Sequence, residues 1–273
     1  MMMQTLSQSN GNGMVVPIPA FSDNYIWAIV HGDSAVVVDP GQASPVLEFL
    51  QTRGLQLRAI LLTHHHGDHV GGVEELLKHN PTATVYGPAN ERLPHCDERL
   101  IEDDCVTIHE LNLELRVLDV PGHTAGHIAY FGHVAGYTSP FLFCGDVLFA
   151  GGCGRIFEGT PPQMFASLAK FTLLPADTQI CCAHEYTLSN LRWALTVEPA
   201  NDVLQQWYLQ AQELREHGRP TLPTTLALEL DTNPFLRASH TAVVQAARQQ
   251  SGKALTTPVE TFAALREWKN DFK

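Results

Sequence analysis

Short apolar runs, rich in β-branched residues, recur from Met14 to about Ala183, and each ends in a loop of Gly, Asp, His or Pro. Runs of this length that are bounded by turn-forming residues predict β-strands. The predicted strands lie in the segments NYIWAIV (24–30), SAVVVDPG (34–41), RAILLTHHH (58–66), ATVYGP (83–88), LELRVLDVPGHT (113–124), PFLFCGDVLF (140–149) and TQICCAHEY (178–186).

Apolar positions at helical spacing separate some of these strands. The predicted helices cover SPVLEFLQTRG (44–54), GGVEELLKHNP (71–81) and TPPQMFASLAKF (160–171). Thr160 is a candidate N-cap, and Gln163 completes a capping box with it. Strands that alternate with helices predict a layered domain of α and β structure with buried sheets.

After about Tyr186 the strand pattern stops, and the remainder is predicted to be helical. Amphipathic helices are expected over 201–218, 240–252 and 257–272. The first has an Asn201 cap, and the last has a second capping box at Thr257 and Glu260. We therefore predict a disordered lead-in (1–13), a layered domain (14–186) and a helical domain (187–273).

Charge narrows the classes of partner. The chain of 273 residues has 29 acidic and 17 basic residues, for a formal net charge of −12. This disfavours a nucleic-acid or anionic-membrane surface. The N-terminus has neither the basic nor the apolar region of a secretory signal, and no apolar stretch is long enough to span a membrane. The six cysteines are predicted to be reduced thiols, and the protein is predicted to be cytoplasmic.

Potential metal ligands stand where predicted strands end. His64, His66, Asp68 and His69 follow AILLT, and three single ligands follow later strands, namely His123, Asp146 and His184. Loops beyond strand ends are the usual location of active sites in layered domains. Imidazoles and carboxylates in this proportion favour Zn, Fe or Mn over Ca or Mg.

Spacing indicates two metal ions. His64 and His66 are two residues apart, which points both side chains the same way from an extended segment. Gly67 then lets the chain turn, so that Asp68 and His69 can face a second ion. One ion would take His64, His66 and His123, the other would take Asp68, His69 and His184, and Asp146 could bridge them. The pKa of water bound at such a site is lowered to about 7.

Neighbouring polar residues have other predicted roles. His65 should point away from its neighbours and is predicted not to be a ligand. His127 and Asp39 are predicted to support the ligands or the local structure. Cys153 has no assignable base, which argues against a thiol nucleophile.

These motifs resemble those of the metallo-β-lactamase superfamily, whose signature is HxHxDH followed by single His, Asp and His ligands. All the ligand positions have a match in this sequence. The resemblance implies an α+β fold, a four-layer αβ/βα sandwich with a dinuclear site at one edge. His66 stands where the diiron oxidoreductases of this superfamily have Glu, which favours hydrolysis.

A closer resemblance is to the hydroxyacylglutathione hydrolases, also called glyoxalase II. The matching segments are IPAFSDNYIWAIV, VVVDPG, LLTHHHGDHVGG, PGHTAGH, GCGRIFEGTPPQM, CAHEYTLSN and NPFLR. The resemblance implies a metallo-β-lactamase-like catalytic domain over 14–186 and a helical substrate-binding domain over 187–273. Two divalent ions per chain are implied, with Zn preferred and Fe or Mn as alternatives.

The implied reaction is hydrolysis of S-D-lactoylglutathione, and of related 2-hydroxyacylglutathione thioesters, to D-lactate and glutathione. This is the second step of methylglyoxal detoxification. A metal-bridging hydroxide would attack the thioester carbonyl, with Asp68 and Asp146 as the catalytic carboxylates. Asp68 would also accept a proton from the nucleophile. The expected partner is the small-molecule thioester, and the expected state is a monomer.

The resemblance also implies contacts with glutathione. Arg266 and Lys269, three residues apart and so on one helix face, match two basic residues that hold a carboxylate of glutathione. Tyr186 matches a tyrosine of the family. Arg155 and Phe157 stand where some members have Lys and Tyr, so one glutathione hydrogen bond is in doubt.

Other activities remain as alternatives. A persulfide dioxygenase of the same superfamily is the nearest enzyme alternative, and a β-lactamase or a nuclease fits less well. A non-catalytic metal-binding scaffold is the alternative from another class. Such proteins usually lack some ligands, whereas this sequence has the full set.

Overall fold

The computed structural model describes residues 13–272. Most of the predicted lead-in lies outside the described residues, and Gly13 begins the first strand. The chain divides into two compact units. Unit 1 contains the described residues up to Asp119 together with Gly126–Gly145, and unit 2 contains Val120–Ala125 and the residues from Asp146 onward. The domain bounds expected from the sequence stay a prediction.

One six-stranded sheet lies in unit 1. Its strands are β1 (Gly13–Ala20), β2 (Asn24–His31), β3 (Ser34–Val38), β4 (Gln56–Leu61), β5 (Thr84–Pro88) and β6 (Glu98–Leu100), in that order. The first two pairings are antiparallel and the next three are parallel. Every residue of β3 is buried, as expected for a strand that is covered on both faces.

Helices of unit 1 connect the parallel strands. They are α1 (Ala43–Arg53), α2 (Gly67–Val70) and α3 (Val73–His79). Gly54 ends α1 with a φ of 65°, a left-handed conformation that glycine adopts without steric cost. Val46 of α1 and Val73 of α3 are fully buried in one core with the strand residues Val37, Ile60 and Val85. The core therefore fixes the position from which the chain leaves β4.

Four further strands of unit 1 pair antiparallel in sequence order. They are β7 (Cys105–Ile108), β8 (Leu113–Asp119), β9 (Ile128–His133) and β10 (Phe141–Gly145). A short 3-10 helix at His109–Leu111 joins the first two. In β8 Leu113, Leu115 and Val117 are buried while Glu114 and Arg116 are exposed, which is the alternation of a sheet with one solvated face.

Unit 2 is mostly helical. Its helices are α4 (Pro161–Phe171), α5 (Thr187–Val197), α6 (Asp202–Glu216), α7 (Leu226–Thr232), α8 (Thr241–Ser251) and α9 (Pro258–Asp271). Its strands are the antiparallel pairs β11 (Leu148–Phe149) with β12 (Gly152–Cys153), and β13 (Gln179–Cys182) with β14 (Thr224–Thr225).

The predicted helix starts of unit 2 are confirmed. Asn201 caps α6 by accepting a hydrogen bond from the Leu204 N–H at 3.1 Å. Glu260 reaches back to the Thr257 N–H at 2.9 Å, and Thr257 accepts from the Glu260 N–H at 3.2 Å. This reciprocal pair satisfies two backbone donors that the helix itself leaves unpaired. It sets the start of α9.

An aromatic cluster anchors α9. Phe262 of α9 lies 5.6 Å from Phe235, which stacks on Trp193 of α5 at 5.0 Å between ring centroids. Trp268 approaches the edge of Trp193 at 5.9 Å. Burial of rings of this size contributes strongly to packing. The cluster holds the segment that carries Arg266.

Several elements depart from the sequence pattern. The pattern did not predict β1, β6, β7, β9 or β12. The helices α5 and α7 lie in the tail that was predicted to be helical, but the pattern did not locate them individually. The expectation that strands stop after Tyr186 is wrong at β14, a strand of two residues that pairs with β13. Such a short strand is defined by its partner and has no periodicity of its own. Among residues 13–272, none of the helices combines the length and apolar character needed to cross a bilayer.

Candidate metal centre and substrate site

The loop after β4 presents the first predicted ligands. Thr63, His64 and His69 are fully buried, and Asp68 lies in the first turn of α2. Asp68 therefore belongs to a separate short helix, because α3 starts only at Val73.

His64 and His66 face each other, as the spacing predicts. The Nε2 atom of His64 lies 3.0 Å from the Nδ1 atom of His66. Two nitrogen ligands of one zinc ion, each at about 2.0–2.1 Å, would be separated by roughly 3 Å. The pair therefore has the spacing of two ligands on one ion.

Asp39 organises this loop from the end of β3. Its carboxylate accepts hydrogen bonds from the Thr63 N–H at 2.8 Å and from the Thr63 hydroxyl at 2.7 Å. The Nδ1 atom of His69 lies 3.0 Å from the same carboxylate, so Nδ1 is the protonated nitrogen of that ring. Because the Thr63 hydroxyl gives its proton to Asp39, it accepts from Nδ1 of His64 at 3.0 Å. Both imidazoles are thereby oriented with Nε2 as the nitrogen for a metal.

Asp68 is held by Asn24. The Asn24 amide donates to Oδ2 of Asp68 at 3.0 Å, and this oxygen lies 3.5 Å from Nε2 of His69. Gly41 makes the approach possible, because a Cβ atom there would lie 1.8 Å from the Asp68 carbonyl oxygen. Asp68 and His69 are thus brought together within unit 1.

His65 and His127 make different contacts within unit 1. His65 is paired with the buried carboxylate of Glu91, which also accepts a hydrogen bond from the Gly126 N–H at 3.0 Å. The buried ring of His127 stacks on His64 at 4.6 Å with an interplanar angle of 19°. The stacking limits rotation of the His64 ring.

The remaining predicted ligands lie together in unit 2. Nε2 of His123 is 3.4 Å from Oδ2 of Asp146, and Nε2 of His184 is 3.3 Å from Oδ1 of the same carboxylate. All three residues are buried. One carboxylate that offers a different oxygen to each of two imidazoles has the arrangement of a bridging ligand.

His123 is oriented by the segment after β12. Its Nδ1 donates to the Arg155 carbonyl at 2.8 Å, and its own carbonyl accepts from the Phe157 N–H at 3.2 Å. A Cβ atom on Gly154 would lie 1.9 Å from the Asp146 carbonyl oxygen and 3.2 Å from Nδ1 of His123. The segment can approach so closely because it has glycine at this position.

Predicted substrate residues surround the ligands of unit 2. Tyr186 stacks on His184 at 4.7 Å, and Phe149 approaches the edge of His184 at 5.8 Å. Phe157, which is 61% exposed, meets the edge of His123 at 5.2 Å. Tyr186 and Phe157 thus each contact one predicted metal ligand.

Arg266 and Lys269 differ in their surroundings. Arg266 is only 6% exposed and donates from Nη1 to the Cys153 carbonyl at 2.7 Å. Lys269 is half-buried, and its Nζ lies 3.5 Å from the Ser189 carbonyl. Burial and the cationic groups of three arginines together lower the pKa of Lys269 to about 8, and these arginines are Arg266, Arg155 and Arg192. The cluster forms a local positive region in an acidic chain.

The donors in each unit suit divalent transition metals. Unit 1 has three imidazoles and one carboxylate, and unit 2 has two imidazoles and one carboxylate. His64, His69 and His123 each have Nδ1 engaged by an oxygen atom. Such contacts fix the tautomer that presents Nε2 to a metal. Imidazole and carboxylate together suit Zn, Fe or Mn. Each unit therefore holds ligands that are already oriented.

Sequence reasoning did not identify several supporting residues. Asn24, Thr63 and Glu91 contact predicted site residues, and Glu229 lies fully buried beneath the turn between β11 and β12. Asn24 and Glu91 make their contacts across 44 and 26 positions of the chain, whereas Thr63 contacts its neighbour His64. Asn24 and Thr63 lie within the matched segments IPAFSDNYIWAIV and LLTHHHGDHVGG, which is the signal that could have drawn attention to them.

Comparisons with known proteins assign both parts of the chain to described families. Residues 21–184 match the metallo-beta-lactamase superfamily, and residues 185–272 match the hydroxyacylglutathione hydrolase C-terminus. A hydroxyacylglutathione hydrolase of Cupriavidus metallidurans is 54% identical over 265 residues, which are 95% of this chain and 99% of that protein. One from Alkalilimnicola ehrlichii is 55% identical over 94% of this chain and 98% of that protein.

Solved structures show the same fold. ETHE1 from Myxococcus xanthus is 24% identical, with a TM-score of 0.61 over 94% of this chain and 97% of that one. TTHA1623, solved in a di-iron-bound form, is 27% identical, with a TM-score of 0.56 over 82% of this chain and 100% of that one. The α+β metallo-β-lactamase fold with a C-terminal helical region is confirmed. The chain belongs to the hydroxyacylglutathione hydrolase family of the metallo-beta-lactamase superfamily.

Proposed function

We propose that this protein hydrolyses S-D-lactoylglutathione to D-lactate and glutathione, using two divalent metal ions for which zinc is the preferred metal. Its relatives over most of the chain are named hydroxyacylglutathione hydrolase, and the protein is a metal-dependent hydrolase of hydroxyacylglutathione thioesters. The observation that carries the finer proposal is the Asp146 carboxylate, which offers one oxygen to His123 and the other to His184.

The proposed ligand sets follow from the contacts that orient the imidazole rings. His64, His66 and His123 would hold one ion, and Asp68, His69 and His184 would hold the other, with Asp146 shared between them. The 3.0 Å separation of the His64 and His66 nitrogens supports the first set. The contacts that direct Nε2 of His69 toward Asp68 support the second.

Bound divalent ions would lower the pKa of water toward about 7 and polarise the thioester carbonyl. Hydrolysis joins the water oxygen to the carbonyl carbon and breaks the carbon–sulfur bond. Asp68, 41% exposed in its side chain and held by the Asn24 amide, accepts the proton that the water loses. The sulfur departs as the glutathione thiolate, which needs little protonation because thiol pKa values lie near about 8.5.

Cationic side chains bind the glutathione part of the substrate in this proposal. Arg155, Arg266 and Lys269 are close enough for the arginines to lower the pKa of Lys269, and the anionic carboxylates of glutathione complement their charge. The Tyr186 hydroxyl can offer a hydrogen bond, while Phe157 has none to offer. The monomeric state and the cytoplasmic location predicted from the sequence belong to the same proposal.

A panel of substrates tests the reaction class. The metal-loaded protein is assayed with S-D-lactoylglutathione, with glutathione persulfide in an oxygen electrode, and with a β-lactam. We expect rapid release of D-lactate and glutathione without oxygen uptake. Oxygen uptake with the persulfide, or lactam hydrolysis in the absence of thioester turnover, would replace the proposal with that activity.

A second comparison tests the recognition of glutathione. The D-lactoyl thioester of cysteamine has the same reacting bond without the carboxylates, and we expect it to be turned over with a much higher KM. Lys269→Met should reduce the difference in KM between the two substrates. Lys253→Met, which removes an exposed lysine paired with Glu267 at 2.9 Å, is the matched control and should leave the difference unchanged.

A further inference from the structure

Arg266 is a buried arginine whose guanidinium group binds main-chain carbonyl groups. Besides its 2.7 Å bond to the Cys153 carbonyl, its Nη1 atom lies 3.5 Å from the Gly154 carbonyl. Nε donates to the Asn270 side chain at 3.2 Å, and the guanidinium carbon lies 5.0 Å above the ring of Phe235. A cation held on several sides in this way has a defined position, and it fixes the carbonyl groups that it contacts.

The same stretch of main chain holds His123. One residue beyond Gly154, the Arg155 carbonyl accepts the hydrogen bond from Nδ1 of His123 at 2.8 Å. The Gly154 N–H donates to the Val147 carbonyl at 3.1 Å, which ties the start of this stretch to the residue after Asp146. Arg266 and His123 are therefore linked through three consecutive residues of backbone, 153–155.

We propose that Arg266 is a positioning residue for His123. By holding the Cys153 and Gly154 carbonyls, it fixes the Arg155 carbonyl in the place where it accepts the His123 Nδ1 proton. Nε2 of His123 is then directed at Asp146, from which it lies 3.4 Å away. The inference rests on the proposed role of His123 as a metal ligand, and it adds to the predicted contact of Arg266 with substrate.

Loss of the guanidinium would leave buried carbonyl groups without their charged donor, which is costly enough to shift the segment. A displaced Arg155 carbonyl would no longer select one His123 tautomer, and contacts of this kind typically change metal affinity by about 10–100-fold. Lys269, one helical turn away, lies against Ser189 and over the rings of Trp193 and Phe272 instead. Its removal should disturb binding of an anion and leave His123 unchanged.

The test compares Arg266→Met and Arg266→Lys with Lys269→Met. Two-bond nitrogen–proton spectra of the metal-free proteins report the His123 tautomer, and competition with a chromophoric chelator gives the zinc affinity. We expect a pure Nδ1–H tautomer in the wild type, a mixture and about tenfold weaker zinc binding in Arg266→Met, and partial recovery in Arg266→Lys. Lys269→Met should match the wild type in both measurements.

Turnover then separates the two roles of Arg266. In Arg266→Met we expect kcat to fall as well as KM to rise, whereas Lys269→Met should change mainly KM. An Arg266→Met protein that keeps the wild-type tautomer and zinc affinity overturns the inference, whatever its KM. Neither measurement on His123 uses the thioester, so failure of the proposed reaction would be seen separately.

If Arg266→Met does not fold, Asn270→Ala tests whether Arg266 positions His123. Asn270 is exposed, and its replacement removes the acceptor of Nε without emptying the buried site. We expect a smaller shift of the His123 tautomer in the same direction. An unchanged tautomer and unchanged zinc affinity in that variant would overturn the inference.

Discussion

His69 and Asp39 form a buried pair in which the imidazole Nδ1 lies 3.0 Å from the carboxylate Oδ2. Asp39 is only 4% exposed and has a φ of 53°, a left-handed conformation that Asp and Asn adopt more readily than most residues. The carboxylate also holds Thr63, through which it orients His64. One acidic side chain therefore determines the tautomer of two predicted metal ligands.

Replacement of Asp39 by Asn should weaken metal binding without altering the backbone. Asn tolerates the same φ, but its amide cannot accept from Thr63 and His69 at every position where the carboxylate does. We expect metal affinity to fall by about 10–100-fold, measured by chelator competition. Asp33→Asn, a change at an exposed carboxylate six positions earlier, is the control. Equal affinities for the two variants would contradict the role of Asp39.

Glu229 should make stability depend on pH. Burial raises its pKa from 4.5 to about 7, although hydrogen bonds from Gly151, Asn233 and Thr224 partly oppose the shift. The folded state then binds the proton more tightly than the unfolded state, so stability is lost as pH rises from 4.5 to about 7.

Urea unfolding of the metal-free protein at pH 5 and 7.5 measures this loss. Glu229→Gln keeps the shape and removes the titration. We expect the free energy of unfolding of the wild type to fall by roughly 2 kcal/mol more than that of the variant over this range. Parallel pH profiles for the two proteins would show that Glu229 does not titrate as described.

Lys269 should make substrate binding depend on pH. Because its pKa is lowered to about 8, its charge is lost as pH rises through that value. We expect KM for S-D-lactoylglutathione to rise by up to about fivefold between pH 7 and 9, the size of one partly exposed ion pair. Lys269→Arg keeps its positive charge over this pH range, and it is assayed with the same substrate. Its KM should therefore change less with pH. An equal rise of KM in both proteins would show that ionisation of the substrate, and not of Lys269, causes the rise.

Phe157→Tyr should add a hydrogen-bonding group at a position where the family resemblance implies a contact with glutathione. The ring is exposed and meets His123 edge-on, so a hydroxyl can be added without a packing penalty. We expect KM to fall by about 2–10-fold with little change in kcat, because one new neutral hydrogen bond is gained. Phe49→Tyr, on a half-buried ring of α1, is the control and should leave KM unchanged. A KM that stays constant in Phe157→Tyr would exclude this contact.

Local signals predicted much of the fold. The capping residues Asn201, Thr257 and Glu260 act as the sequence indicates, because a cap is made by residues a few positions apart. The facing of His64 and His66 followed from their spacing in an extended segment for the same reason. Hydrophobic periodicity and capping motifs therefore predict contacts between residues that are close in sequence.

Tertiary contacts account for what the sequence did not predict. The β1 strand contains Pro17 and Pro19, which obscure its alternation, and its pairing with β2 is what defines it. Glu229 is a charged residue type that is usually exposed, but it is buried here beside Gly151, 78 positions earlier, whose N–H donates to it. The burial of Arg266 likewise depends on the Cys153 carbonyl, 113 positions earlier.

Titration of the metal-free protein with zinc, followed by hydrolysis of S-D-lactoylglutathione, tests the central claim most directly. We predict no turnover without metal, a rise in kcat that continues to two equivalents per chain, and a plateau beyond that point. A plateau at one equivalent would contradict the shared role of Asp146 in a two-metal site. Absence of thioester hydrolysis at metal saturation would contradict the proposed function itself.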